Sequence, residues 1–190
     1  MKNDAIIKSI LCLLTEYKTE MAKPNYDKDS LGSLRYLLGQ SIRQYDIPVQ
    51  NHLMSQAAHS RWTELTTANI MNYHYRDIVV CDNLSKPVQH ALFNGSKKRG
   101  TLTTLTKGYK FHFREMFHED HVIPVSMILD EMIKMQAVDY LSIESLLNQM
   151  HICVLLKKED RKIGRTRNRS LKFQKTIRDV YNTENIYLYP

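Results

Sequence analysis

Phe117-His118-Glu119-Asp120-His121-Val122-Ile123-Pro124 is the stretch on which the reading of this chain turns. Before it, Leu102, Thr104 and Thr106, then Tyr109, Phe111 and Phe113, alternate with polar residues. That period of two predicts a half-buried hairpin, with Lys107-Gly108 in its turn and its second strand leading into the stretch. After Pro124, the residues Val125, Ile128, Leu129, Met132 and Ile133 recur at helical spacing. A second helix is expected from Ser142 to Gln149. The apolar run His151-Ile152-Cys153-Val154-Leu155-Leu156 then reads as a short strand, and Lys157-Lys158-Glu159-Asp160 opens another helix. The last residues, Ile186 to Pro190, are expected to form an edge strand.

Working back toward the start, residues 4–22 place Ile6, Ile7, Ile10, Leu11, Leu14 and Tyr17 on one helical stripe. Ser30 is expected to cap a second helix carrying Leu31, Leu34, Leu37, Leu38 and Ile42. A third is expected from about Pro48 to Leu65. Periodicity does not decide whether Ile78-Val79-Val80-Cys81 is a buried strand or a helix end. Turn formers gather between Asn83 and Gly100, and the domain boundary is placed there. The expected fold class is therefore α+β, with a helical lobe over residues 1–95 and a second domain over residues 96–190. The lobe is a candidate for recognition or dimerisation.

No stretch reaches the roughly 20 apolar residues that a membrane span needs, so a soluble, cytoplasmic protein is expected. The apolar run from Ala5 to Leu14 continues into Glu16, Tyr17, Lys18 and Glu20 without a small-residue cleavage site, which favours a mature amphipathic helix over a signal peptide. Cys12, Cys81 and Cys153 lack metal or disulfide spacing and read as three buried, reduced thiols. The net charge is +7, from 27 basic and 20 acidic residues. From Lys157 onward ten Lys/Arg face four Asp/Glu, so nearly all the excess lies in the last 34 residues. A concentration of that kind points to a polyanionic partner.

The pattern Asp120-His121-Val122-Ile123-Pro124 resembles the first half of the HNH (ββα-metal) nuclease motif. The strand and helix start over Cys153 to Ile163 resemble its second half, in the divergent branch related to restriction endonucleases. In that branch two short helices separate the halves, as expected here. The resemblance covers roughly residues 100–190 and implies a ββα-metal core with inserted helices. It implies His121 as general base, with Asp120 as its catalytic partner and as ligand to one Mg²⁺ or Mn²⁺ per site. The motif's Asn-His pair is absent. Asn148 is the candidate for the middle position, and a carboxylate, Glu159 or Asp160, fills the last. Asp160 is preferred, because Glu159 is also explained as a helix-start acid.

Such chemistry has a physical basis. Phosphodiester hydrolysis requires an activated water and neutralisation of charge at phosphorus and at the leaving oxygen, which a hard cation and a neutral imidazole provide. Adjacent Asp120 and His121 point to opposite faces of a strand, so both serve one site only if the strand end is irregular. Lys97, Lys98, Arg99, Arg114, Arg161, Lys162, Arg165, Arg167 and Arg169 are candidates for phosphate or base contacts, against the plainer reading of a solvated basic face. His112, His118 and His151 read as structural or DNA-facing, and His52, His59, His74 and His90 lie outside the motif. The resemblance implies an endonuclease on double-stranded DNA, of the type II restriction kind and homodimeric. The alternatives are a nucleic-acid-binding regulator with a nuclease-like fold that does not cleave, and a toxin-like nuclease.

Overall fold

The computed structural model describes residues 2–74, 76–82, 103–105, 108–163 and 177–190, of which 103–105, 108–110 and 177 are described by their backbone. The chain begins with α1 (Lys2–Met21), α2 (Lys28–Arg43), β1 (His52–Met54) and α3 (Gln56–Leu65). Four strands follow: β2 (Ile78–Cys81), β3 (Thr103–Leu105), β4 (Gly108–His112) and β5 (Phe117–His121). Then come α4 (Val125–Lys134), α5 (Tyr140–Leu147), β6 (Ile152–Leu156), α6 (Lys157–Asp160) and α7 (Ile177–Asn182). The class is α+β. None of the described helices is long and apolar enough to cross a membrane.

Two compact units share this chain. One comprises Met1–Asn51 and Ile123–His151, the other His52–Val122 and Ile152–Pro190. The expected division at residues 95 and 96 is therefore displaced. Residues 52–82 join the strand-bearing unit, and the two helices between β5 and β6 join the N-terminal helices.

In the helical unit, α1 buries Ile7, Ile10, Leu14 and Tyr17, and α2 buries Leu34, Leu38 and Ile42. These stripes meet Ile128, Leu129 and Met132 of α4 and Ile143, Leu146 and Leu147 of α5. Each such side chain contributes about 1.5–3 kcal/mol when fully withdrawn from water. The expected helices are present with shifted caps. Asp27, not Ser30, caps α2 by accepting from the Asp29 amide at 3.0 Å. Asp139 caps α5 by accepting from the Ser142 amide at 2.9 Å, so that helix begins at Tyr140.

The second unit contains two three-stranded sheets, ordered β1-β6-β5 and β2-β4-β3. β6 is central, parallel to β1 and antiparallel to β5. Cys153 to Leu156 are all buried, as a strand covered on both faces requires. On one face Val154 and Leu156 join Trp62, Phe113 and Phe117 in a core. On the other, Cys153 and Leu155 join Val122, Ile163, Tyr181, Ile186 and Leu188.

Several expectations need correction. The helix expected from about Pro48 holds a 3-10 turn over Val49–Asn51 and strand β1 before Ser55 caps α3. Three residues carry too little periodicity to announce a strand, and pairing with distant β6 makes this one. Ile78–Cys81 is a strand, β2, antiparallel to β4. The hairpin is formed by β3 and β4, with Leu105 opposite Gly108; its turn residues 106 and 107 lie outside the described residues. Phe113 stands in a 3-10 turn, Phe113–Glu115, that separates β4 from β5 and sends them to different sheets. The expected edge strand at the C-terminus reduces to an antiparallel bridge between Leu188 and Ser55.

Cys12 is exposed, whereas Cys81 and Cys153 are buried. Burial, then the nearby Asp82 charge, pushes the Cys81 thiol up to about 12; burial and the Asp120 charge push Cys153 higher still. Since only thiolates attack disulfide reagents, folded protein should titrate one fast thiol with Ellman's reagent and three in denaturant. Two or more fast thiols before denaturation would contradict this packing.

Candidate metal centre

Strand alternation settles which side chains meet. Along β5, Phe117 lies opposite Leu156, His118 opposite Leu155, Asp120 opposite Cys153 and His121 opposite Ile152. The ladder is regular to His121, so His118 and Asp120 share the face of Cys153 and Leu155. Phe117, Glu119 and His121 share the other. There the Glu119 carboxylate lies 3.2 Å from Nε2 of His74. The irregular strand end that would unite Asp120 and His121 in one site is absent.

Asp160 comes to the His118–Asp120 face from the helix that follows β6. Its position is set by its neighbour. Glu159 is buried, and its Oε2 accepts from the Ser55 hydroxyl at 2.6 Å and from the Leu156 amide at 2.9 Å. Ser55 in turn accepts from the Ala58 amide at 3.0 Å, so one buried network ties the starts of α3 and α6 together. Glu159 is thus a structural acid. Asp160 is left with Oδ1 at 3.6 Å from Nε2 of His118.

His118, Asp120 and Asp160 each offer a ligand atom, and all three atoms lie within 4.8 Å of one another. Donors on one octahedral ion at about 2.1 Å stand roughly 3 Å apart in cis and 4.2 Å in trans, so small side-chain adjustments would close this set on a single cation. One imidazole and two carboxylates fit Mn²⁺ better than Mg²⁺, which prefers oxygen and water. Exposure is graded across the set. Asp120 is only 3% exposed, while the His118 and Asp160 side chains are 47% and 33% exposed. The set therefore has a buried floor and an open side, as a centre that must admit water and substrate needs. In that floor the Tyr181 hydroxyl donates to Asp120 Oδ2 at 3.0 Å.

Of the residues singled out from sequence, Asp120 and Asp160 are brought together. Asn148 is not among them. It belongs to the helical unit, where its Oδ1 accepts from the Tyr45 hydroxyl at 2.7 Å and its carbonyl from the Asn51 amide group at 2.9 Å. His121 stands on the far face. His118 takes its place in the cluster, and the signal for it was the period of two that links positions 118 and 120. Tyr181 had no signal in the motif.

Arg114 is exposed in the 3-10 turn before β5. Arg161 and Lys162, also exposed, follow Asp160 directly and are fixed by backbone bonds to the Lys157 and Glu159 carbonyls. Lys97, Lys98, Arg99, Arg165, Arg167 and Arg169 lie outside the described residues. Comparison with known proteins finds no matching family model, no matching curated protein and no matching solved structure.

Proposed function

We propose that this chain is a metal-dependent nuclease that hydrolyses phosphodiester bonds in double-stranded DNA, working from His118, Asp120 and Asp160. The observation that carries the reading is the convergence of these three donors from a strand–strand–helix sequence of elements. That order, β5 then β6 then α6, parallels the ββα-metal arrangement implied by the resemblance. The helices α4 and α5 occupy the connection between the two strands.

A bound divalent cation would supply an acidified water and neutralise charge at the scissile phosphate and the leaving 3′ oxygen. The chain's own residues do the rest. Asp120, buried and hydrogen-bonded, is the rigid donor. Asp160, placed by the Glu159 anchor, is the second carboxylate. His118 completes the set as its imidazole donor, a role distinct from the general base that sequence reading assigned to His121. Arg161 and Lys162 stand one and two residues beyond Asp160 and would meet the phosphates flanking the cut.

The test is incubation of purified protein with supercoiled and linear DNA in Mn²⁺, Mg²⁺ or EDTA, beside His118→Ala and His121→Ala. Cleavage is expected in Mn²⁺ above Mg²⁺ and absent in EDTA. His118→Ala should lose at least 100-fold in rate, on the order of one missing donor. His121→Ala should retain most activity. Discrete fragments would identify a sequence-specific enzyme of the restriction type, and smearing a toxin-like or nonspecific one. Salt-sensitive DNA retention without cleavage in any metal would overturn the enzyme reading in favour of a binding module. Loss confined to His121→Ala would return the catalytic role to that residue.

A further inference from the structure

The C-terminal segment delivers to the candidate centre a side chain that lies outside the motif. Tyr181, on α7, is fully buried, and its hydroxyl donates to Asp120 Oδ2 at 3.0 Å. The ring is held from several directions. Its core neighbours are Val122, Cys153, Leu155, Ile186 and Leu188. After α7 the chain reverses at Asn185, whose φ of 57° lies in the left-handed region that asparagine tolerates. The Ile186 amide then bonds back to the Tyr181 carbonyl at 3.0 Å. Beyond this turn the chain is stitched to the outer edge of β1. The Gln56 amide donates to the Tyr187 carbonyl at 2.8 Å, and the Tyr189 amide donates to the Met54 carbonyl at 2.9 Å. The Tyr189 ring stacks on His59 with centroids 3.6 Å apart.

A buried tyrosine needs a partner for its hydroxyl, and a core role alone would be met by any backbone carbonyl. This one is aimed at the most buried of the three donors. A phenol donates without cancelling the carboxylate's charge and occupies one of about four acceptor positions on it. That fixes the carboxylate plane while leaving it an anion. Partners of this kind orient metal-binding carboxylates, and their removal typically weakens metal affinity about 10- to 100-fold. We propose that Tyr181 is a positioning residue that orients Asp120 for cation binding, supplied by a C-terminal segment latched to β1. The inference rests on the metal-centre reading given above.

The experiment is Mn²⁺ titration by calorimetry on wild type, Tyr181→Phe, Asp120→Asn and Cys153→Ala, with the apo melting temperature of each. The full chain is used throughout. Tyr181→Phe keeps the ring and should bind Mn²⁺ 10- to 100-fold more weakly than wild type while retaining a cooperative apo transition. Cys153→Ala perturbs the same core without touching the phenol–carboxylate bond. It should stay within about twofold of wild type in affinity, since the Cys153 thiol donates to the Val154 carbonyl rather than to the carboxylate. Wild-type affinity in Tyr181→Phe, with affinity lost in Asp120→Asn, would overturn the positioning role and leave the metal centre standing. Equal weakening in Tyr181→Phe and Cys153→Ala would also overturn it, by assigning the effect to core packing. Unchanged affinity in Asp120→Asn would remove the metal centre itself.

Discussion

Asp120→Asn is expected to reduce metal-dependent DNA cleavage by about 1,000-fold or more, equivalent to ~4 kcal/mol of transition-state stabilisation. The amide has the carboxylate's shape and keeps an oxygen to accept from Tyr181, so the fold around it should be unaltered. What it lacks is the charge of the only buried donor in the cluster. The proposed centre would then depend on Asp160 and His118, both on the open side. The same substitution should leave the apo protein's melting temperature unchanged or raised, because it removes one of two neighbouring carboxylates that repel each other without a cation. Single-turnover cleavage in saturating Mn²⁺, together with calorimetric melting without metal, checks both halves. Retained cleavage would exclude Asp120 from the chemistry. A large drop in melting temperature would make it a structural acid like Glu159.

Trp62→Ala should cost about 4–5 kcal/mol, at the upper end for large-to-small changes in a core. The indole is 2% exposed and is surrounded by Tyr73, Phe113 and Phe117, with ring centroids 5.2–6.0 Å away. Its Nε1 donates to the Ala68 carbonyl at 2.6 Å, which ties the end of α3 to the loop beyond it. Truncation therefore leaves a cavity and also strips a carbonyl of its donor. For a domain of ordinary stability that is a large fraction of the whole. Denaturant unfolding of wild type and variant measures it, and a loss below about 1.5 kcal/mol would mean the aromatic cluster is not close-packed.

Sequence reading succeeded where a long pattern or strong chemistry was at stake. The apolar run in β6 spans a strand covered on both faces, and the stripes of α1, α2 and α4 recur over several turns. It failed where tertiary partners decide. β1 has three residues, and nothing local separates them from the helix that follows; their pairing with β6 does. The run of turn formers from Asn83 to Gly100 looked like a boundary. Yet β2 on one side and β3 on the other pair with the same strand, β4, so that stretch connects the two outer strands of one sheet.

The candidate site was half legible for a related reason. Asp120 and Asp160 were legible because each occupies a carboxylate position in the pattern that resembles the ββα-metal motif. Adjacency then drew His121 into the same site, although a regular strand turns neighbours apart and brings alternate residues together. Tyr181 lies 61 residues from Asp120 in sequence, and no spacing rule links them.

Neither unit is a continuous length of chain: each is assembled from two segments, with changeovers at Asn51–His52, Val122–Ile123 and His151–Ile152. No single cut or truncation can release either unit whole. β5 and β6 are also separated by the stretch that completes the helical unit, so their pairing must enclose residues belonging to another body. A gene fragment encoding residues 100–190 would carry His118, Asp120 and Asp160 but lack β1, α3 and the Ser55 that anchors Glu159. To obtain the strand-bearing unit alone, the chain would have to be respliced, joining Val122 to Ile152 through a short designed turn and starting at His52.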